Sequence, residues 1–372
     1  MSEFKVIIAG GGVTALVLAN MLEMHGMDYV VLESHSAIAP QVGASIGLFT
    51  NGLHILDQMG LLESIQAIFA GEPPSDTTHA YGYGLYFFDR QQLLHILYDN
   101  LKHKDRILLK KKVSDVKLSS GGGGVKVQGT DGSVYEGTIV VGADGVHSVV
   151  RSIMRSLAEK LEPGYFDPAE SETEVSCHYR CSFGIAKHAT TNRSSSSPGL
   201  QDKVYWFLCD KLPETKYGSD IPTYSREDEA LLMEQNRDLP VTEKFTLGQI
   251  FDRKTVSTLT PLHEYVYKKW FFREIITLGD SAHKPNPMGG QGANGAIESC
   301  AELVNAFVRL SATRDERELE GLGAAEITRA FTETQNRREA RAKQLVRESR
   351  WSLRSLVEKK LLGTSIQCFI TM

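Results

Sequence analysis

Apolar residues open the chain as a short unbroken run and then spread to helical spacing. Phe4-Lys5-Val6-Ile7-Ile8-Ala9 ends at Gly10-Gly11-Gly12, and a run of that length bounded by glycine predicts a buried strand. From Val13 to His25 the spacing is helical, with Leu16, Ala19 and Leu22 on one face and Gly26 as the stop. Tyr29-Val30-Val31-Leu32 predicts a second strand, closing at Glu33, so the opening stretch of the chain has the size of a strand–helix–strand crossover. Asn51 to Gly60 and Arg90 to Leu101 predict helices, and from Ile107 to Val141 the period falls to two. Within that stretch Val125-Lys126-Val127 and Val134-Tyr135-Glu136 flank Asp131-Gly132, a hairpin signal, and Ile139-Val140-Val141 runs as a buried strand into Gly142-Ala143-Asp144-Gly145. Residues 152–270 are less regular, with strands expected at Tyr179 to Ile185 and Lys203 to Leu208 and a polar loop at Thr190 to Pro198. Ile275 to Leu278 returns to strand character, Glu298 to Leu310 and Ile327 to Leu356 are helical, and there is no internal repeat.

Composition adds exclusions. The 372 residues are enough for a large core, and a formal charge of −5 offers no global basic field for nucleic acid. The basic clusters at Lys110 to Lys112 and Arg337 to Arg341 are expected to be solvated faces. The five cysteines have no zinc-type spacing, so no metal site is expected, and Cys177 and Cys181 are expected as small core residues. Scattered cysteines, no signal peptide and no apolar stretch long enough for a membrane span predict an intracellular protein, cytoplasmic or peripheral at a membrane.

Gly10-Gly11-Gly12-Val13-Thr14-Ala15 fits the pattern GxGxxG/A between a strand and a helix. Gly10 permits the tight turn, Gly12 lets the backbone approach a pyrophosphate, and the small Ala15 lets helix and strand pack closely. Free amides at the helix start then favour an anion. Glu33, at the end of the second strand, is placed to accept hydrogen bonds from ribose hydroxyls. These residues predict a dinucleotide site and do not distinguish NAD from FAD.

Later segments do. Gly142-Ala143-Asp144-Gly145-Val146-His147-Ser148-Val149-Val150-Arg151 and Gly279-Asp280-Ser281-Ala282-His283 resemble the DG and GD motifs of class A flavoprotein monooxygenases. Pro285 to Gly295 resembles that family's flavin loop. Within the family the chain is most similar to fungal FAD-dependent monooxygenases of the paxM type, through Pro40 to Gly47, Phe88 to Leu94, Tyr205 to Leu208 and Leu259 to Glu264, a resemblance covering nearly the whole chain. It implies tightly bound, non-covalent FAD, with NADPH as co-substrate. It implies contacts to FAD from Gly47, Arg90, Asp280, Gly292 and Ala293, and a link to both FAD and NADPH for Asp144. A cation at a helix start, as at Arg90, is disfavoured unless an anion faces it. Arg151 is expected to pair locally and hold the DG loop. His147 and His283 have no positioned partner in the sequence, so both are expected to be structural.

The implied chemistry is oxygenation: NADPH reduces the flavin, and one atom of O2 passes to an alkene of a prenylated terpenoid or meroterpenoid, an apolar small molecule, while the other leaves as water. Three departures stand against the family pattern. The segments between Leu62 and Tyr81 and between Ile185 and Val204 are short, and the chain stops at Met372 without a hydrophobic extension. The second gap removes the segment in which the family's active-site tyrosine falls, which makes Tyr205 the nearest catalytic candidate. A flavoprotein acting as a cyclase, prenyl reductase or binding protein is the alternative. The expected fold is α/β: a Rossmann-like FAD-binding domain from residues 1–70, 86–175 and 272–315, an interleaved α+β substrate domain on a mixed sheet over 176–271, and C-terminal helices over 316–372.

Overall fold

The computed structural model describes residues 4–40, 45–69, 82–119, 124–167, 175–187, 203–243, 245–314, 319–358 and 364–370. Gln41 to Ala44, the serine-rich loop and much of both shortened segments lie outside the described residues.

Six strands form the first sheet. β1 (Lys5–Ala9) and β2 (Asp28–Leu32) flank the glycine turn and the helix Val13–Met24. Two short strands, β3 (Ser45–Leu48) and β4 (Tyr86–Asp89), pair with each other away from that sheet, and β4 leads directly into the helix Arg90–Asn100. β5 (Ile107–Leu108) follows, then a separate antiparallel meander of β6 (Val113–Leu118), β7 (Val125–Gly129) and β8 (Val134–Gly137), then β9 (Ile139–Gly142). With β13 (Phe271–Phe272) and β14 (Ile275–Thr277), the order across the main sheet is β13-β14-β9-β1-β2-β5. Its central strands are parallel, and β13 alone runs antiparallel at one edge.

Both faces of this sheet are covered, which is why its central strands are apolar throughout rather than alternating. Val6, Ile8, Val31 and Val141 face the helices Val13–Met24 and Gln291–Ala312, while Ile7, Ala9, Val30 and Val140 face the helix Val149–Leu161 and the meander. Burying both faces leaves the C-terminal strand ends as the open side, where parallel α/β sheets bind ligands.

The second sheet is built from β10 (Ser176–Lys187), β11 (Lys203–Tyr217), β12 (Lys254–Val266), β15 (His283–Lys284) and β16 (Thr364–Ile370), in the order β15-β12-β10-β11-β16. Every pairing in it is antiparallel, so mixed pairing belongs to the first sheet and not to this one. Trp206, Leu208 and Val204 face the helices Arg226–Gln235 and Leu247–Phe251 on one side. On the other side Tyr179, Cys181, Phe207, Cys209 and Leu262 pack with Leu353 and Val357 of the long helix Ala324–Glu358.

The C-terminal segment, expected as helix, ends instead in β16, whose backbone pairs with Val204 to Asp210. That pairing covers the outer edge of β11, whose hydrogen-bonding groups would otherwise be exposed. Cys177 and Cys181 are fully buried, as expected of core residues, and Cys181 lies opposite Cys209 with their sulfurs 3.2 Å apart. Among the described residues no helix is long and apolar enough to cross a membrane, and no group of histidine, cysteine and carboxylate side chains could hold a metal ion.

Candidate active site

Between the C-terminal ends of β1 and β9 and the inner face of the second sheet lies a cavity of about 520 Å3. It is lined at one end by Gly12, Val13, Arg90 and Asp280, and at the other by Phe87, Phe183, Phe207 and Leu262.

The glycine turn is built for close approach. Gly10 has φ of 104°, and a Cβ there would lie 2.6 Å from the Ala143 carbonyl, so no other residue fits. Gly12 caps the helix Val13–Met24 without any side-chain cap, which leaves the first amides open toward the cavity. Ala15 is fully buried where helix meets sheet. Glu33 is buried behind Gly11, and its Oε1 accepts from the His35 amide at 2.6 Å and from Ser34 Oγ at 3.2 Å. Its Oε2 lies nearest Gly11, at the turn itself.

Arg90 starts the helix Arg90–Asn100 immediately after β4, and its guanidinium reaches across to Gly12. It is half-buried and has no hydrogen-bond acceptor among the described residues. Burial pulls its pKa down, and the charges of Asp280 and Glu33 oppose that pull. A desolvated guanidinium without acceptors is costly, and an anion at the turn would relieve it.

Asp280 follows β14 in a short 3-10 turn, and its Oδ2 pairs with Lys284 Nζ at 2.7 Å. The helix Gln291–Ala312 begins at Gly290, which sits in the left-handed region with no side-chain cap. A Cβ at Gly292 would meet nothing within 4 Å, and both Gly292 and Ala293 line the cavity. This second uncapped helix start supplies open amides opposite the first. Gly47, on β3, also lines the cavity, and its carbonyl accepts from Asn294 Nδ2 at 2.9 Å. Asn294 additionally bonds the Gly290 carbonyl and accepts from the Phe49 amide, so it ties β3 to the helix start. In the sequence, Asn294 is legible only as a member of the loop motif.

Asp144 has a different position. Its carboxylate accepts from Ser148 Oγ and from the amides of Val149 and Val150, at 2.5, 2.8 and 3.0 Å, and from Ser281 Oγ at 3.2 Å. It caps the helix Val149–Leu161 and ties the DG loop to the GD loop, while its neighbours Ala143, Gly145 and His147 line the cavity. Arg151 holds the same loop from below, donating to the Lys269 carbonyl at 3.0 Å and stacking 3.3 Å from the Tyr267 ring centre.

Tyr205 does not reach the cavity. It is fully buried, its hydroxyl donates to Asp89 Oδ1 at 2.6 Å, and Lys203 pairs with the other Asp89 oxygen. Phe87 stacks edge-on against it at 5.3 Å and stands between it and the open space. Burial and the Asp89 carboxylate raise its pKa, which keeps the phenol protonated. His283 is buried, with Nε2 2.9 Å from Ser299 Oγ, and desolvation with the nearby Arg338 lowers its pKa to about 3. His147 and His263 face each other edge-on, ring centres 6.0 Å apart, at the cavity wall.

The sequence marks the strands that carry Phe183 and Phe207, but not that these side chains meet Leu262 in one apolar floor. Phe183, Phe207 and Leu262 come from three strands far apart in the chain. Beneath the flavin-loop segment, buried Glu264 accepts from Asn286 Nδ2 at 2.6 Å and from Arg350 Nε at 2.5 Å, and Asn286 accepts from the Met288 amide. This network fixes the loop to both the second sheet and the long helix.

Two uncapped helix starts, an arginine lacking an acceptor and an apolar floor define a dinucleotide-binding flavoprotein fold with a substrate sheet. Similarity to known proteins agrees. The FAD binding domain family matches residues 3–330. The chain is 34% identical to FAD-dependent monooxygenase ausM of Penicillium brasilianum, across 99% of this chain and 82% of that one. It is 34% identical to FAD-dependent monooxygenase andE of Emericella variicolor, across 95% and 80%. The fold is shared with Klebsiella pneumoniae HpxO solved with FAD and uric acid, at a TM-score of 0.65 and 20% identity over 94% of this chain and 87% of that one. It is shared also with tetracycline destructase Tet(51), at a TM-score of 0.65 and 15% identity over 96% and 91%. The chain belongs to the FAD binding domain family and, within it, to the FAD-dependent monooxygenases.

Proposed function

We propose that this monooxygenase uses NADPH and O2 to oxygenate, by epoxidation, a prenylated terpenoid or meroterpenoid intermediate of fungal secondary metabolism. The observation that carries the reading is one cavity with two unlike ends: open amides and an acceptor-less Arg90 at one, and Phe183, Phe207 and Leu262 at the other. Bound FAD would supply the redox chemistry between NADPH and O2. The protein's role is to bind, orient and exclude water.

The amides at Gly12 and Val13 and the Arg90 guanidinium would hold the pyrophosphate of FAD. Glu33 would take the adenosine ribose, and Asp280, steadied by Lys284, a ribityl hydroxyl. The amides at Gly292 and Ala293 would stabilise negative charge on the reduced ring, with Gly47 lying against its side. Phe87, Phe183, Phe207 and Leu262 would seat an apolar substrate and keep water away from the reacting centre. The relatives' names, ausM and andE among them, say FAD-dependent monooxygenase, and the same reaction class is proposed here.

The test is anaerobic mixing of the purified yellow protein with NADPH, with and without a prenylated substrate, followed by admission of 18O2. Flavin bleaching that the substrate accelerates, with one labelled atom in the product, is the expected result. A saturated, unlabelled product would instead make the protein a prenyl reductase. Flavin that NADPH leaves oxidised under every condition would make it a binding protein or a cyclase.

A further inference from the structure

A second cavity, of about 580 Å3, lies directly beside the flavin cavity. The two share a wall of Val146, His147, Thr260, Pro261 and His263. β12 forms most of that wall. Leu262 points to the flavin side, while Leu259, Tyr265 and the following Tyr267 face the second chamber. β15 pairs with β12 only at Tyr265 and Val266, so among the described residues the edge of β12 beside the shared wall has no strand across it. A passage around that edge needs side-chain movement and no broken strand pairing.

The chamber's chemistry differs from its neighbour's. The flavin cavity is lined by Arg90, Asp280 and Lys284, whereas no lysine, arginine or carboxylate among the described residues lines the chamber. The phosphates of a nicotinamide dinucleotide would find no cation there, and phosphate recognition depends on such groups. Its lining is uncharged: Val175, Ile221, Leu259 and the rings of Tyr224, Tyr265 and Tyr267 stand beside the hydroxyls of Ser219, Thr223 and Thr260. Tyr265 and Tyr267 stack with ring centres 4.6 Å apart, and the Tyr265 hydroxyl is already committed to the Asp280 carbonyl at 2.5 Å. His263, in the partition, is held neutral, because burial first, then Lys284 and His147, lower its pKa to about 4. Ligand cavities run to about 300–1,000 Å3, so about 520 Å3 is one ligand's worth of room. With FAD in the first cavity, a large substrate must extend beyond it.

We propose that this chamber holds the distal, uncharged hydrocarbon portion of the oxygenation substrate while the reacting carbon lies in the flavin cavity; the inference rests on the oxygenase reading above. The His147–His263 pair is the partition the chain threads past.

The test measures binding of geraniol, farnesol and geranylgeraniol to the FAD-loaded protein by calorimetry. The wild type is expected to gain about tenfold or more in affinity with each added isoprene unit, because each unit buries further apolar surface. Thr223→Trp and Ser219→Trp put bulk into the chamber from exposed rim positions, where no packed neighbour must yield. In both, the gain is expected to stop at the shorter alcohols. A wild type without length dependence, variants whose series runs parallel to the wild type's, or variants that lose FAD affinity would each overturn the proposal. Length-dependent binding by a protein that consumes no oxygen with NADPH would leave the chamber standing and refute the oxygenase. Labelled product made by variants with an unchanged length series would do the reverse.

Discussion

The two sheets meet at one cavity but make it in opposite ways. The six-stranded sheet is buried on both faces and offers only its strand ends, so its contribution is backbone: glycine turns, uncapped helix starts and a carboxylate at a strand terminus. The antiparallel sheet offers a face, so its contribution is side chains: Phe183, Phe207 and Leu262, each from a different strand. Backbone recognition tolerates little change, because a single Cβ can fill the space the ligand needs. Side-chain recognition can be rebuilt residue by residue. The cofactor end of such a protein is therefore the rigid half, and the substrate end the adaptable one.

The comparison is broken most directly at Gly10. Gly10→Val places a side chain against the Ala143 carbonyl in a backbone conformation that branched residues avoid. The variant is expected to lose FAD affinity by about 100-fold or more, near 2.8 kcal/mol, read as the ratio of flavin to protein absorbance after purification. Retention of stoichiometric flavin would show that the turn does not hold the cofactor.

Arg90→Met tests the same end without strain. Loss of charge-assisted hydrogen bonds to a phosphate is expected to weaken FAD binding about 10- to 100-fold, or roughly 1.5–3 kcal/mol. The apo protein should melt at the same temperature or higher, because a desolvated cation without acceptors has been removed. A drop in apo stability would mean that the arginine is structural.

Acid is expected to act on the other half. His283 joins the antiparallel sheet, and burial, with Arg338 beside it, lowers its pKa to about 3 from an ordinary value of 6.5. The unfolded chain thus binds the proton more readily, so its contribution is complete above pH 6.5 and is lost as pH falls toward 3. At pH 5 the loss from this residue is on the order of 2 kcal/mol. Urea midpoints at pH 7 and pH 5 check the sign, and a His283→Gln variant should show a shallower fall.

The smallest effect is expected at Asp144. Asp144→Asn keeps the shape of the helix cap and removes its charge, which should cost about 1 kcal/mol of stability and shift the melting temperature by a few degrees at most. FAD affinity should stay within about twofold, because the carboxylate is spent on Ser148, Val149, Val150 and Ser281. A tenfold loss would place Asp144 on the cofactor and move the DG loop from support to contact.

Much of the cofactor half is legible in the sequence. The turn, both strands beside it and the helix Val13–Met24 fall where the apolar spacing places them, because strand, turn and helix there are contiguous and each is set by local preference. The hairpin at Asp131-Gly132 likewise follows from its turn residues. The substrate half is legible only in pieces. Tyr179 to Ile185 and Lys203 to Leu208 mark strands, yet each is longer in the structure, and β12 and β16 carry no such mark. Tyr205 shows why: the shortened segment before it makes it the nearest catalytic candidate, but Phe87 from another sheet covers it and Asp89 takes its hydroxyl.

The sequence alone determined those features of this protein whose physics is local. Gly10 to Ala15, Glu33 and the flavin-loop segment specify turns and open amides within a few residues of chain, and those suffice to predict a dinucleotide site. Only the tertiary structure decided that Arg90 reaches Gly12, that Asp144 is consumed as a cap, and that β12 separates one cavity from the other at Thr260, Pro261 and His263. Those outcomes depend on which distant strands pair and which side chain stands in front of another. Such contacts arise from packing between segments far apart in the chain, and no local pattern encodes them.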